Sequence, residues 1–169
     1  MRQKMNLVRG LMTDPEILFL DEPTLGLDVE IAREVRNYLK KWINDGDKKR
    51  TVLLTTHYMQ EAEELCEKIG IINDGSLILE GTSGQIKSSS SYVSKYLIEV
   101  DITESFLKEY SKFKPIKLST GEYEIYANNI QDHSVIYKQL RFDKNVVSFN
   151  EFLPTLEDAF MSLTGRELN

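Results

Sequence analysis

Two adjacent carboxylates, Asp21 and Glu22, end the apolar run Ile17-Leu18-Phe19-Leu20 and lead into Pro23-Thr24-Leu25-Gly26-Leu27-Asp28. A short apolar run closed by acids reads as a buried parallel strand that delivers those acids to its C-terminal tip. Open α/β sheets bind nucleotides at such tips. Asp21 is suited to holding Mg²⁺ through a coordinated water, because this cation prefers carboxylate oxygen and keeps most of its hydration shell. Glu22, on the other side of the tip, can polarise an attacking water. A second apolar run, Thr51–Thr55, leads to Thr56-His57, which places an imidazole near a neighbouring strand tip. There it can reach a terminal phosphate and link it to Glu22.

What stands opposite these acids decides what they can do. No Gly-x-x-x-x-Gly-Lys-Ser/Thr phosphate loop occurs in the 169 residues. Such a loop supplies a nest of backbone amides, a lysine and a hydroxyl ligand for Mg²⁺. Without one, two carboxylates repel a polyphosphate more than they bind it. The expectation is that these residues alone neither bind Mg-ATP tightly nor hydrolyse it.

The elements that must position these groups follow from periodicity. Met5, Val8, Leu11 and Met12 mark one side of a first helix, ended by Thr13-Asp14-Pro15. Asp28 is a helix N-cap, and Ile31, Val35, Leu39, Trp42 and Ile43 form the buried stripe of the helix that follows. Residues 44–47 close it, Lys48-Lys49-Arg50 read as a solvated turn, and Thr51–Thr55 as a second buried strand. A helix from Met59, a strand over Ile69–Asn73 and a tight turn at Asp74-Gly75 follow. Alternating strands and helices imply a mainly parallel sheet.

Ser88–Ser91 have little to bury and read as a linker. Beyond them, the pattern β-α-β-β-α-β with one extra helix describes a small ferredoxin-like module. The fold class is therefore α/β: a mainly parallel sheet joined to that α+β module. The expected division is residues 1–87 as the first part, 88–94 as the linker and 95–169 as the accessory domain.

The string Leu-Asp-Glu-Pro-Thr-x-Gly-Leu-Asp at 20–28, followed by Thr56-His57, resembles the Walker B segment, D-loop and H-loop of ATP-binding cassette (ABC) ATPases. The resemblance implies that the parallel sheet is a partial P-loop NTPase (RecA-like) sheet without its phosphate-loop half. With that fold it implies ATP and Mg²⁺ as cofactors, with Asp21 on the metal, Glu22 and His57 catalytic, and Thr24 and Asp28 in nucleotide binding. It also implies that Asp28 sits where the D-loop couples two sites across a dimer. The first helix resembles the segment that directly follows the family's signature motif, so the chain reads as the part of such a subunit beyond that motif.

Tyr58-Met59-Gln60-Glu61-Ala62-Glu63-Glu64-Leu65-Cys66 resembles the drug-resistance and sodium-efflux type of ABC exporter ATPase. Pro154–Phe160 and Leu163–Leu168 carry the same resemblance. It implies a separate membrane permease and a second ATPase subunit as partners, and a place on the cytoplasmic face of the membrane. The missing loop adds a possible partner chain that carries it. A second reading makes the chain a non-catalytic fragment whose C-terminal module regulates or dimerises. A soluble ABC protein of translation or DNA repair is a third, but neither paired cassettes nor basic insertions occur.

Composition is that of a globular protein and not of a disordered one. The chain is 41% hydrophobic and 28% charged, with a net charge of -6. That charge disfavours nucleic acid, whose phosphates need clustered Lys and Arg. The single Cys66 cannot form an internal disulfide and reads as core. His133 has no plausible metal partner in the sequence.

Overall fold

The computed structural model describes residues 2–46 and 48–165, with the backbone alone at 2–4. Met1, Asp47 and the Arg166-Glu167-Leu168 portion of the C-terminal motif lie outside the described residues. The chain forms two compact units, residues 1–70 and residues 71–169.

The first unit contains α1 (Arg2–Leu11), β1 (Ile17–Asp21), α2 (Val29–Asn44), β2 (Thr51–Thr55) and α3 (Met59–Leu65). β1 and β2 pair in parallel, with Ile17 opposite Thr51 and Asp21 opposite Thr55. Leu18 and Leu20 turn to one face and pack with Leu7 of α1 and Leu39 and Trp42 of α2. α1 lies close on β1 at Gly10, where an added Cβ would stand 3.3 Å from Leu18 Cδ1.

The strands are not buried on both faces, as their unbroken apolar runs suggest. Ile17 is 60% exposed, Phe19 71% and Leu53 58%. The residues alternate because helices cover only the Leu18 and Leu20 face of a sheet that has two strands. Parallel sheets are ordinarily covered on both faces. The first helix differs too: Leu7 is buried, whereas Met5, Val8 and Met12 of the expected stripe are exposed. In α2 the buried face is Ala32, Arg36, Leu39 and Trp42, rotated from the expected Ile31 and Val35. Arg36 is accommodated there by donating from Nε to Glu64 Oε2 at 2.9 Å.

Arg50 is not part of a solvated turn. Only 9% of its side chain is exposed. Its guanidinium donates to the carbonyls of Trp42 (2.7 Å) and Asp45 (2.6 Å) and to Asp14 Oδ1 (2.9 Å). It also lies 5.0 Å over the Trp42 ring. It thereby ties the turn after α1 to the end of α2. Hydrogen bonds from Lys48 and Arg50 hold the Asp14 carboxyl below the ordinary carboxylate range.

β3 (Ile69–Asn73) crosses the boundary between the units and pairs with β4 (Ser76–Gly81) instead of joining β1 and β2. Asp74 and Gly75, at φ +49° and +75°, form the turn between them. The second unit continues with α4 (Ser83–Lys87), β5 (Ser94–Val100), α5 (Thr103–Glu109), β6 (Ile116–Ser119), β7 (Glu122–Ala127), α6 (Ile130–Phe142), β8 (Val146–Phe152) and α7 (Leu156–Thr164). Its sheet runs β6-β7-β5-β8 with every pairing antiparallel. That order, with the β-α-β-β-α-β succession, is the ferredoxin-like arrangement expected from the sequence. Tyr96, Ile98, Tyr123 and Ile125 of the central strands meet Phe106 of α5 and Ile136 and Leu140 of α6 in its core.

α7 packs against α4, with Leu156, Ala159 and Ile86 at most 1% exposed. The serines of 88–91 are engaged: the Ser88 and Ser89 hydroxyls donate to the Gly84 and Ile86 carbonyls, and Ser91 N donates to Ser162 Oγ.

Glu61 of α3 is 0% exposed, and among the described residues neither carboxyl oxygen has a hydrogen-bond partner. Burying such a group costs on the order of 1–3 kcal/mol, which an apolar side chain of similar length avoids. Glu61→Met is expected to raise the urea midpoint by about 1 kcal/mol of stability; a fall would mean that the carboxyl has a stabilising partner.

Candidate functional site

The acids at the end of β1 are held by the end of β2. In the parallel register Asp21 lies directly opposite Thr55, and the Thr55 hydroxyl donates to Asp21 Oδ1. The ladder continues one residue further, where Glu22 N donates to the Thr55 carbonyl at 2.9 Å. Glu22 then adopts φ +45°, the left-handed region that side chains other than glycine seldom occupy. The chain turns sharply there, with Leu25 N bonded to the Glu22 carbonyl and Leu27 N to the Thr24 carbonyl, both at 3.1 Å. A non-glycine residue held in this conformation stores backbone strain, which clusters at functional sites.

The second strand delivers the imidazole. Thr56 Oγ1 accepts from Tyr58 N at 3.0 Å, a local turn that carries the chain from β2 into α3. His57 lies within that turn, its side chain 56% exposed, with Nδ1 2.9 Å from Glu22 Oε2. Its ring packs on Tyr58 at 4.1 Å between centroids. Asp21, Glu22 and His57 are thus gathered at the adjacent ends of two parallel strands.

Thr24 and Asp28 lie on the loop that leaves this tip. Thr24 is 3% exposed, so its side chain lies beneath the surface of the loop. Asp28, at φ −67° and ψ 161°, caps α2 by accepting from Ile31 N at 2.9 Å. Thr55 belongs to no motif that sequence reading would single out, and only the register of the two strands reveals it.

The electrostatics of the tip are one-sided. Neither residues 17–28 nor residues 51–58 contain a lysine or arginine, while Asp21, Glu22 and Asp28 all lie there. Among the described residues no group of three or more His, Cys, Asp or Glu side chains stands together to hold a metal. The hard oxygens of Asp21 fit Mg²⁺, but as one contact of an ion that takes its remaining ligands from water or phosphate, not as an all-protein cage. The residues fit the metal-facing side of a nucleotide site, and the two segments that form the tip bring no lysine or arginine of their own to a polyphosphate.

The other candidates are structural. His133 Nε2 meets Glu151 Oε1 at 2.8 Å, and Ser94 Oγ donates to the same oxygen at 2.8 Å, a network that joins α6 to the sheet. Burial pushes the Cys66 thiol above its ordinary range, which makes it a poor nucleophile. No helix among the described residues is long and apolar enough to cross a membrane.

Comparison with known proteins finds relatives along the whole chain. A Nod factor export ATP-binding protein of Bradyrhizobium diazoefficiens is 31% identical over 171 residues, covering 99% of this chain and 53% of its own length. A linearmycin resistance ATP-binding protein of Bacillus subtilis is 31% identical over 176 residues, covering 99% of this chain and 56% of its own length. A daunorubicin resistance ATP-binding protein of Streptomyces coeruleorubidus is 41% identical over 90 residues, covering 53% of this chain and 28% of its own. The chain spans about half the length of the curated relatives it matches along its whole extent. No family model matches the chain.

The Asp28 cap is open to direct test. Asp28→Ala is expected to lower stability by about 1 kcal/mol in urea unfolding, and Asp28→Asn by a few tenths at most. Equal losses in the two variants would assign the effect to the charge of Asp28 and not to its capping oxygen.

Proposed function

The chain belongs to the ABC transporter ATP-binding proteins, and on that premise we propose that it supplies the acidic and switch side of an ATP-hydrolysing site that drives export through a membrane permease. The observation that carries this reading is the 2.9 Å approach of His57 Nδ1 to Glu22 Oε2 beside Asp21, at the ends of two parallel strands.

In this reading Mg-ATP supplies an electrophilic terminal phosphate whose charge the cation partly neutralises. Asp21 would hold the hydrated metal through its carboxylate. Glu22 orients the attacking water and accepts its proton, and His57 steadies Glu22 while reaching toward the phosphate. Asp28 contributes from its loop to a second ATPase subunit across a dimer, and Thr24 supports the loop on the nucleotide side.

The amide nest and lysine come from a phosphate-loop segment outside these 169 residues, in the same subunit or a separate chain. Two observations support that division. Residues 17–28 and 51–58 contain no lysine or arginine, and Ile17, Phe19 and Leu53 leave one face of the sheet apolar and open. Alone, the chain is inactive. Residues 1–87 form the cassette part and 95–169 an accessory C-terminal domain, and 88–94 connect them as a linker whose serines are held by α4 and α7. The relatives named for drug resistance and Nod factor export favour efflux as the process served, at the cytoplasmic face of the membrane and without nucleic acid.

The test is turnover on mixing the chain with a separately expressed segment that carries a phosphate loop. ATP hydrolysis is expected in the mixture only, with at least a hundredfold loss in Glu22→Gln, within the range of removing a general base. Full activity of Glu22→Gln in the mixture would remove Glu22 from the reaction.

A further inference from the structure

We propose that Thr55 is a positioning residue for the metal-facing carboxylate: its hydroxyl sets the rotamer of Asp21 while its carbonyl sets the backbone of Glu22. This rests on the ATPase reading above for its purpose, but its geometry stands apart from that reading.

Three observations carry it. The parallel register puts Thr55 directly opposite Asp21. The Thr55 hydroxyl donates to Asp21 Oδ1, so one carboxylate oxygen is engaged by a neutral donor fixed to the strand. The Thr55 carbonyl accepts from Glu22 N at 2.9 Å, immediately before the left-handed turn at φ +45°. One residue therefore grips both acids, the first through its side chain and the second through its main chain.

The chemistry favours threonine at this place. Its hydroxyl has one hydrogen, and that hydrogen goes to Asp21 Oδ1, so the donor is committed to one oxygen of the carboxylate. Its β-branch restricts χ1 on a strand, so the hydroxyl is aimed and not merely present. Both Asp21 and Thr55 are exposed, so packing does little to fix the carboxylate. Loss of that donor would widen the rotamer distribution of the carboxylate, and a metal would have to narrow it again. Residues that orient a ligand without touching the metal commonly change metal affinity about 10–100-fold.

The test uses the full chain first. Asp21 χ1 populations are read by NMR from three-bond couplings to Cγ in the wild type, Thr55→Val and Thr55→Ser. Valine keeps the shape and β-branching of threonine, so the fold is preserved. Serine keeps the hydroxyl. One dominant Asp21 rotamer is expected in the wild type and Thr55→Ser, and averaging over at least two in Thr55→Val, with the Glu22 amide equally protected from exchange in all three. An unchanged Asp21 rotamer in Thr55→Val overturns the proposal.

In the mixture with a phosphate-loop segment, Thr55→Val should raise the Mg²⁺ concentration for half-maximal ATPase turnover at least fivefold. Saturating Mg²⁺ should recover most of the loss, and Thr55→Ser should need no extra Mg²⁺. A loss in Thr55→Val that Mg²⁺ does not recover overturns the proposal as well. An inactive wild-type mixture overturns the ATPase reading, and the rotamer measurement then decides on Thr55 by itself.

Discussion

Everything at the candidate site depends on the parallel pairing of β1 with β2. Residues 21 and 55 are far apart in the chain, and only this register makes them neighbours. A slip of one residue would turn every side chain to the opposite face. Leu18 and Leu20 would leave the core, and Asp21 would lose Thr55. Core packing and site geometry are thus specified together. Leu18 and Leu20 must meet Leu7, Leu39 and Trp42 beneath the sheet, and that requirement fixes where the acids emerge. Arg50 reinforces the arrangement from the opposite end of β2 by clamping Asp14, Asp45 and Trp42 just before that strand begins.

The same pairing leaves one face of the unit's sheet open, with Ile17, Phe19 and Leu53 exposed. Exposed apolar surface raises the free energy of an isolated unit, and a segment that covered this face would relieve it. The second unit is built differently. Its sheet runs in ferredoxin-like order, and helices α5 and α6 close its core on one face.

Much of this was legible in the residues, for identifiable reasons. Asp28 as a helix cap, Asp74-Gly75 as a turn and the strand order of the second unit all rest on local chemistry or short-range periodicity. Asp21, Glu22 and His57 stood out because strand tips gather chemistry in parallel sheets. What remained hidden depends on long-range contacts. An unbroken apolar run does not reveal whether a second layer exists to cover it, so β1 and β2 read as fully buried. Nor does a basic triplet reveal that Trp42 and Asp14 wait for Arg50. Glu61 looks like one more acid on a charged helix, yet its environment removes it from solvent completely. Thr55 is the clearest case, since its importance appears only when two strands are set side by side.

The central claim is that these residues hold the acidic side of a nucleotide site whose cationic side lies elsewhere. Titration calorimetry of Mg-ATP into the purified chain, with and without a phosphate-loop segment, addresses it most directly. Saturable binding in the mixture and none to the chain alone is the expected result. Tight, saturable binding to the chain alone would contradict the account, because it would require a phosphate-binding site that the acids of β1 do not provide.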